Sequence, residues 1–174
     1  MRAEFTLVPF ATFAVVAPVQ AAVFMNLEQA QQLMFPGATF TSDNRVLTSE
    51  QASIIRKASG VDVRSRNLKV WKVSTGGWFI ADEVVGKHEF IPFALALDAE
   101  GAVLGIEILE YREAYGSQIR EAAWRAQFTG KRNGAKLALT KDIANISGAT
   151  LSSRHITDGV KRLLATYAAV LAQD

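Results

Sequence analysis

The order of hydrophobic periods along this chain predicts an α+β fold: a single domain with one antiparallel sheet packed by helices and a long C-terminal helix. Three observations carry that expectation. Residues 26–60 show helical apolar spacing bounded by helix caps. From Leu68 to Leu109 the apolar residues alternate in runs separated by turn residues. From Ile156 to Leu171 the spacing becomes helical again.

The elements follow in order. Asn26 is a good N-cap for a helix from Leu27 to Met34, with Leu27, Ala30, Leu33 and Met34 on one side; Phe35-Pro36-Gly37 stops it. A polar loop is expected next. Thr48 opens a second helix, and Gln51 completes a capping box. Ile54, Ile55 and Ala58 form its expected buried face, and Gly60 its C-cap. Leu68 to Val73 and Trp78 to Val85 read as strands about a Gly76-Gly77 turn. Phe90–Leu97 and Val103–Leu109 read as a hairpin, with Gly101 where the turn needs a positive φ. Strands joined by such short turns must be antiparallel. A third helix is expected from about Ser117 to Phe128, stopped by Gly130, and the final one from about Ser152 to Ala172.

Composition narrows the chemistry. The 174 residues suffice for one domain with a core. There are no cysteines, which excludes disulfides, cysteine zinc sites, iron–sulfur clusters, thiol nucleophiles and a cysteine lipid anchor. The two histidines, His88 and His155, are far apart, so no metal site is expected. A net charge of +2 without a Lys/Arg block gives no reason to expect nucleic-acid binding. No Gly-x-Gly-x-x-Gly fingerprint occurs, so direct use of NADH is not expected. From Phe5 to Met25 no residue is charged, Arg2 precedes that stretch, and Val19-Gln20-Ala21 offers small residues. Residues 1–21 therefore read as a secretory signal peptide cut near Ala21 or Ala22. The alternative is an uncleaved N-terminal anchor, interrupted by Pro9 and Pro18. Either places the folded part, 22–174, outside the cytoplasm.

The run Ser147-Gly148-Ala149-Thr150-Leu151-Ser152-Ser153 carries the functional argument. Gly148 and Ala149 let a bulky anion approach the backbone. The run feeds a helix N-terminus, where free N–H groups favour phosphate. Ser152 and Ser153 add hydroxyls, and Arg154 and His155 in the first helical turn would face the same anion. The alternative is a helix cap, since a Ser/Thr/Gly-rich loop before a helix is more often a cap than a ligand site.

Preceded by Asp142, this run resembles the flavinylation motif of the FMN-binding domain family, Ser/Thr-Gly-Ala-Thr-x-Ser/Thr. Val103 to Glu113 is similar to the family's strand ahead of its flavin-covering loop. Trp124-Arg125-Ala126-Gln127-Phe128-Thr129-Gly130-Lys131 is similar to its Trp-x-x-Gln-Phe-x-Gly-Lys segment. The segments keep the family's order and span roughly 67–170. Relatives include FMN-bearing subunits of the Rnf and sodium-translocating NADH:quinone oxidoreductase complexes.

The resemblance implies FMN phosphoester-linked to Thr150, attached by a separate flavin transferase that uses FAD and a divalent metal. It makes 22–174 an FMN-binding domain and implies FMN contacts from Ser147, Gly148, Ala149, Leu151, Ser152 and Ser153. Glu113, Tyr115 and Gly116 would belong to the ring-covering loop. Many relatives have Glu-Thr-Pro-Gly-x-Gly where this chain has Glu113-Ala114-Tyr115-Gly116-Ser117. Tyr115 thus lies either against the ring or packed on the sheet. Trp124 is either near the flavin or core, and Lys131 is either a surface charge or a phosphate contact. Glu107 and Glu110, at odd and even strand positions, read as solvated, and His88 as an exposed strand residue. The implied function is an extracytoplasmic electron carrier with a membrane-bound or periplasmic redox partner. The alternatives are a flavin-dependent reductase module, with His155, Arg154 and Glu113 as candidate proton donors, or a secreted binding or scaffold domain lacking flavin.

Overall fold

A computed structural model describes residues 22–173. The leader or anchor read at 1–21 lies outside the described residues.

Helix α1 (Leu27–Met34) and helix α2 (Ser49–Ser59) begin where local chemistry places them. Asn26 accepts from the Gln29 amide while the Gln29 side chain returns to Asn26; Thr48 and Gln51 form the same reciprocal box. Gly60, in the left-handed region, closes α2. The buried stripes differ from those expected. Leu33 and Ile54 are exposed, as is Ala58, while Ile55 and Ser59 turn inward with α2 against the last helix. The segment expected as a polar loop forms two short strands, β2 (Phe40–Ser42) and β3 (Arg45–Val46). Both pair antiparallel with β4 (Asn67–Val73), a long-range pairing that short polar residues do not announce.

Strands β5 (Trp78–Val85), β6 (Phe90–Leu97) and β7 (Val103–Ile108) complete a six-stranded antiparallel sheet of order β2-β4-β5-β6-β7, with β3 also on β4. The main hairpins are those expected. Chain entry is tied down separately by a two-stranded ribbon of β1 (Ala22–Val23) and β8 (Glu110–Tyr111).

The two faces of the sheet are unequal. Ile91, Phe93, Leu95 and Leu97 of β6 enter the larger core with Ile80, Val84 and Ile106, under α2 and the C-terminal helix. On the other face Ala94 and Ala96 join Phe79, Val73, Ala30 and Phe35. Small residues on that face leave room for the short α1. Each fully buried large aliphatic or aromatic side chain contributes roughly 1.5–3 kcal/mol.

The helix expected over 117–128 is broken. Extended Glu121, at ψ 132°, separates a 3-10 turn (Ser117–Arg120) from the short helix α3 (Ala122–Arg125), which runs directly into a second 3-10 turn (Ala126–Phe128). The break brings Ile119, Trp124 and Phe128 all inside. A continuous helix would spread those positions around its circumference.

Helix α4 (Thr150–Thr166) continues as a π turn (Tyr167–Leu171). It runs alongside β5. His155 reaches Val85, Gly159 lies over Val84 and Phe93, Arg162 pairs with Asp82 at 2.5 Å, and the Tyr167 hydroxyl donates to Ala99 at 2.7 Å. At that far end Gly101, φ +77°, passes under the Tyr167 ring, where a side chain would collide. The N-terminus of α4 thereby stands at the β5–β6 turn.

Candidate functional site

Thr150 is the first residue of α4, so the helix starts two residues before the expected Ser152. Its N-cap is Ala149, and no side chain caps the first turn. A cap would require a hydroxyl at the N-cap position accepting from an amide two or three residues on. Thr150 instead exposes its hydroxyl and accepts from Asn145 Nδ2 at 3.2 Å.

The other hydroxyls of the run divide by face. Ser147 is exposed and lies outside the cleft lining. Ser153 is fully buried, donates to the Ala149 carbonyl at 3.0 Å and accepts from the Ile146 amide at 3.3 Å, so it braces the loop from inside. Ser152 is buried beside Tyr111, with the two hydroxyl oxygens 3.0 Å apart. The Tyr111 hydroxyl donates to the Tyr115 carbonyl at 2.5 Å. Its single proton is thereby spent, and Ser152 must donate to Tyr111. Burial raises the Tyr111 pKa, opposed by the Ser152 hydrogen bond and assisted by the Glu113 carboxylate. The phenol therefore stays protonated as this bridge requires.

Tyr111 stands in this place because strand alternation changes phase. Ile106 and Ile108 point inward, and after Leu109 Tyr111 does so as well. Past Leu109 strand parity therefore no longer assigns Glu107 and Glu110 to opposite faces. Neither is freely solvated: Glu107 pairs with Arg125, and Glu110 with Arg112 at 2.5 Å. Their side chains are 15% and 17% exposed.

Gly116 follows with φ +96° and buried backbone. A Cβ there would strike the Ala149 Cβ and come within 2.7 Å of the Tyr111 hydroxyl. Glycine at 116 is thus needed for both conformation and close approach to the Ser147–Ser153 run.

Glu113 faces the β5–β6 turn. Its carboxylate accepts from the amides of His88 at 2.7 Å and Glu89 at 3.1 Å. Partial burial opposes ionisation, but the amides of His88, Glu89 and Lys87 and the nearby His88 charge outweigh it and hold the carboxyl below its ordinary value. His88 sits in this turn and not on a strand.

The segment before Thr150 is gripped from below. Trp124 is core, edge-on to Phe128, and its Nε1 donates to the Ala144 carbonyl at 2.8 Å. Gln127 Oε1 accepts from the Ala144 amide at 2.7 Å. Trp-x-x-Gln therefore holds the backbone of one residue at both its amide and its carbonyl. Asp142 takes the amides of Leu137 at 3.0 Å and Ala138 at 2.7 Å, with Lys131 Nζ 3.5 Å away. The Ala138 amide chiefly, against some burial cost and with help from Leu137 and Lys131, lowers the Asp142 pKa. Leu137 is held at φ +40°, unusual for a branched residue. Lys131 thus serves the turn and does not line the cleft.

These loops enclose a cleft of about 350 Å³, lined by Lys87, His88, Glu113, Ala114, Tyr115 and residues 148–152. That is within the usual range of small-molecule sites. Tyr115 is 78% exposed, so it is not packed on the sheet. The family model of the FMN-binding domain matches residues 86–165, which contain both walls of this cleft. This stretch is similar to the FMN-binding domain family. No curated protein matches the chain.

Of the expected FMN-binding residues, Thr150, Gly148, Ala149, Leu151, Ser152, Glu113 and Tyr115 line the cleft. Gly116 shapes its wall, Trp124, Lys131 and Ser153 support it from behind, and Ser147 lies beside it. Arg154 is exposed and absent from the lining. His155 bonds the Val85 carbonyl and lines a separate cavity with Asp158 and Arg162, so it does not face Thr150. Sequence reasoning missed Lys87, His88 and Ala114 in the lining, and Tyr111 and Asn145 behind it. Gly86, where a Cβ would collide with Glu113, is the one local hint of the turn's role. The donor set suits a phosphate-bearing flavin. A threonine hydroxyl and an uncapped helical turn stand at one wall, and Lys87 and His88 at the other.

Proposed function

We propose that the cleft holds FMN esterified through its phosphate to Thr150, and that the protein is an extracytoplasmic electron carrier. The carrying observation is Thr150 itself: first in α4, exposed in the cleft, and free of any capping duty. A hydroxyl that caps no helix and is exposed in the cleft is available for modification.

Each neighbour then has a task. The α4 first turn stabilises phosphate charge. Gly148 and Ala149 allow close approach, and Ser152 is kept in place by Tyr111. Tyr115 and Leu151, both exposed, offer apolar surface to a ring. Lys87 places positive charge at the opposite wall, beside the His88 imidazole. Glu113 binds the turn that carries them. Bound FMN would supply reversible acceptance and release of electrons.

In this reading a flavin transferase supplies the FMN from FAD, using its own divalent metal. The partners are a membrane-bound or periplasmic reductant and acceptor. Export by the N-terminal segment, or anchoring through it, fits a covalent tether, since a lost cofactor is hard to replace outside the cell. His88 in the cleft favours a second reading, a flavin-dependent reductase in which its imidazole serves as proton donor. Turnover of a small acceptor abolished by His88→Ala would mark that reading.

The test is intact mass of the exported protein with and without a co-expressed flavin transferase. Wild type is expected to gain one FMN less one water, and Thr150→Ala to gain nothing. An unchanged wild-type mass, with the transferase active on another acceptor, would sink the covalent model.

A further inference from the structure

Thr150 has a neighbour to which the motif assigns no role. Asn145 is exposed, and its Nδ2 donates to Thr150 Oγ1 at 3.2 Å. Among the described residues this is the one hydrogen bond of either side chain. An asparagine serving only a turn bonds nearby backbone; this one bonds a side chain across a helix start. Its flanks are fixed. Ala144 is clamped by Trp124 and Gln127, and the Ile146 amide donates to Ser153 Oγ.

A threonine hydroxyl has one proton and two lone pairs. Asn145 occupies one lone pair, which leaves the proton and the other pair directed elsewhere. We infer that Asn145 is a positioning residue for modification of Thr150, holding Oγ1 as an acceptor in one rotamer so that its remaining lone pair is presented to phosphorus. The inference rests on Thr150 being the flavin-bearing residue. In the step, the Thr150 Oγ1–P bond forms and the P–O bond of the FAD pyrophosphate breaks. AMP leaves with the bonding pair, and the hydroxyl proton passes to a base of the transferase. After transfer the Asn145 amide remains a donor beside the phosphate oxygens.

The test is a time course of intact mass for the full chain with purified flavin transferase and FAD. It compares wild type, Asn145→Ala, Asn145→Asp and Thr150→Ala, with urea midpoints establishing that all are folded. Losing one neutral hydrogen bond predicts loading slowed about 3–10-fold in Asn145→Ala, with the same final mass as wild type. Asn145→Asp keeps the shape but can only accept, and it sets a negative charge beside the incoming phosphate. It is expected to load more slowly still, more than about 10-fold below wild type. A merely structural asparagine gives the opposite order, because the isosteric aspartate disturbs packing least. Wild-type rates in both variants, or aspartate faster than alanine, would overturn the inference while leaving Thr150 as the attachment residue. No loading of wild type would remove both.

Discussion

Gly116 shows at the scale of one residue how this site is built. Its φ of +96° disfavours any side chain, and the space a Cβ would need is filled by Ala149 and the Tyr111 hydroxyl. Gly116→Ala is expected to cost about 1–3 kcal/mol of unfolding free energy, measured by urea denaturation. It should also slow FMN loading, because the collision is with the residue before Thr150. A variant as stable as wild type would show that the loop relaxes without strain. The family resemblance pointed to Gly116 and Glu113 by position. Their reasons lie in partners distant in sequence, Ala149 for one and the amides of His88 and Glu89 for the other. Tyr111 was not singled out at all. Its inward direction depends on a phase change at Leu109 that strict alternation does not contain.

At the scale of elements, what could be read depended on how local the controlling interactions are. The caps of α1 and α2 close within three residues, and both were legible. The Ser117–Phe128 segment looked like one helix, but burying Ile119, Trp124 and Phe128 together required the break at Glu121. Helix α4 was legible as a helix, whereas its starting residue was not: the N-cap is Ala149, which has no capping side chain and packs against Gly116 from a distant loop. Gly159 tests its docking. Alanine is worth about 1 kcal/mol more than glycine inside a helix. A Cβ at 159 would nevertheless sit 2.8 Å from Val84 Cγ1 and 3.1 Å from the Phe93 ring. Overpacking of this kind costs about 1–3 kcal/mol. Gly159→Ala is therefore expected to lower thermal stability despite its better helix propensity. A raised melting temperature would mean that α4 can lift off β5 and β6 at little cost.

Across the whole molecule, the β5–β6 turn, the Glu113 loop and the start of α4 converge at one end of the sheet, and the Glu113 carboxylate is one of their fasteners. Its pKa is lower in the folded state than the ordinary value of 4.5. Its contribution is therefore fully present above about pH 4.5 and is lost as pH falls through the folded value. The difference in urea midpoint between wild type and Glu113→Gln should accordingly be largest near neutrality and shrink on acidification. A difference independent of pH would remove the carboxylate–amide interaction as its source. Among the described residues no helix is long and apolar enough to cross a membrane. The sequence by itself determined the α+β class, the antiparallel hairpins, both capped helices and the run containing Thr150. Those features rest on hydrophobic period, short turns and contiguous motifs. Tertiary structure alone decided that Lys87 and His88 line one cleft with Thr150, that Trp124 and Gln127 clamp Ala144, and that His155 turns away. The physical reason is that each of these relations joins segments brought together only when sheet and α4 bury their apolar faces against one another.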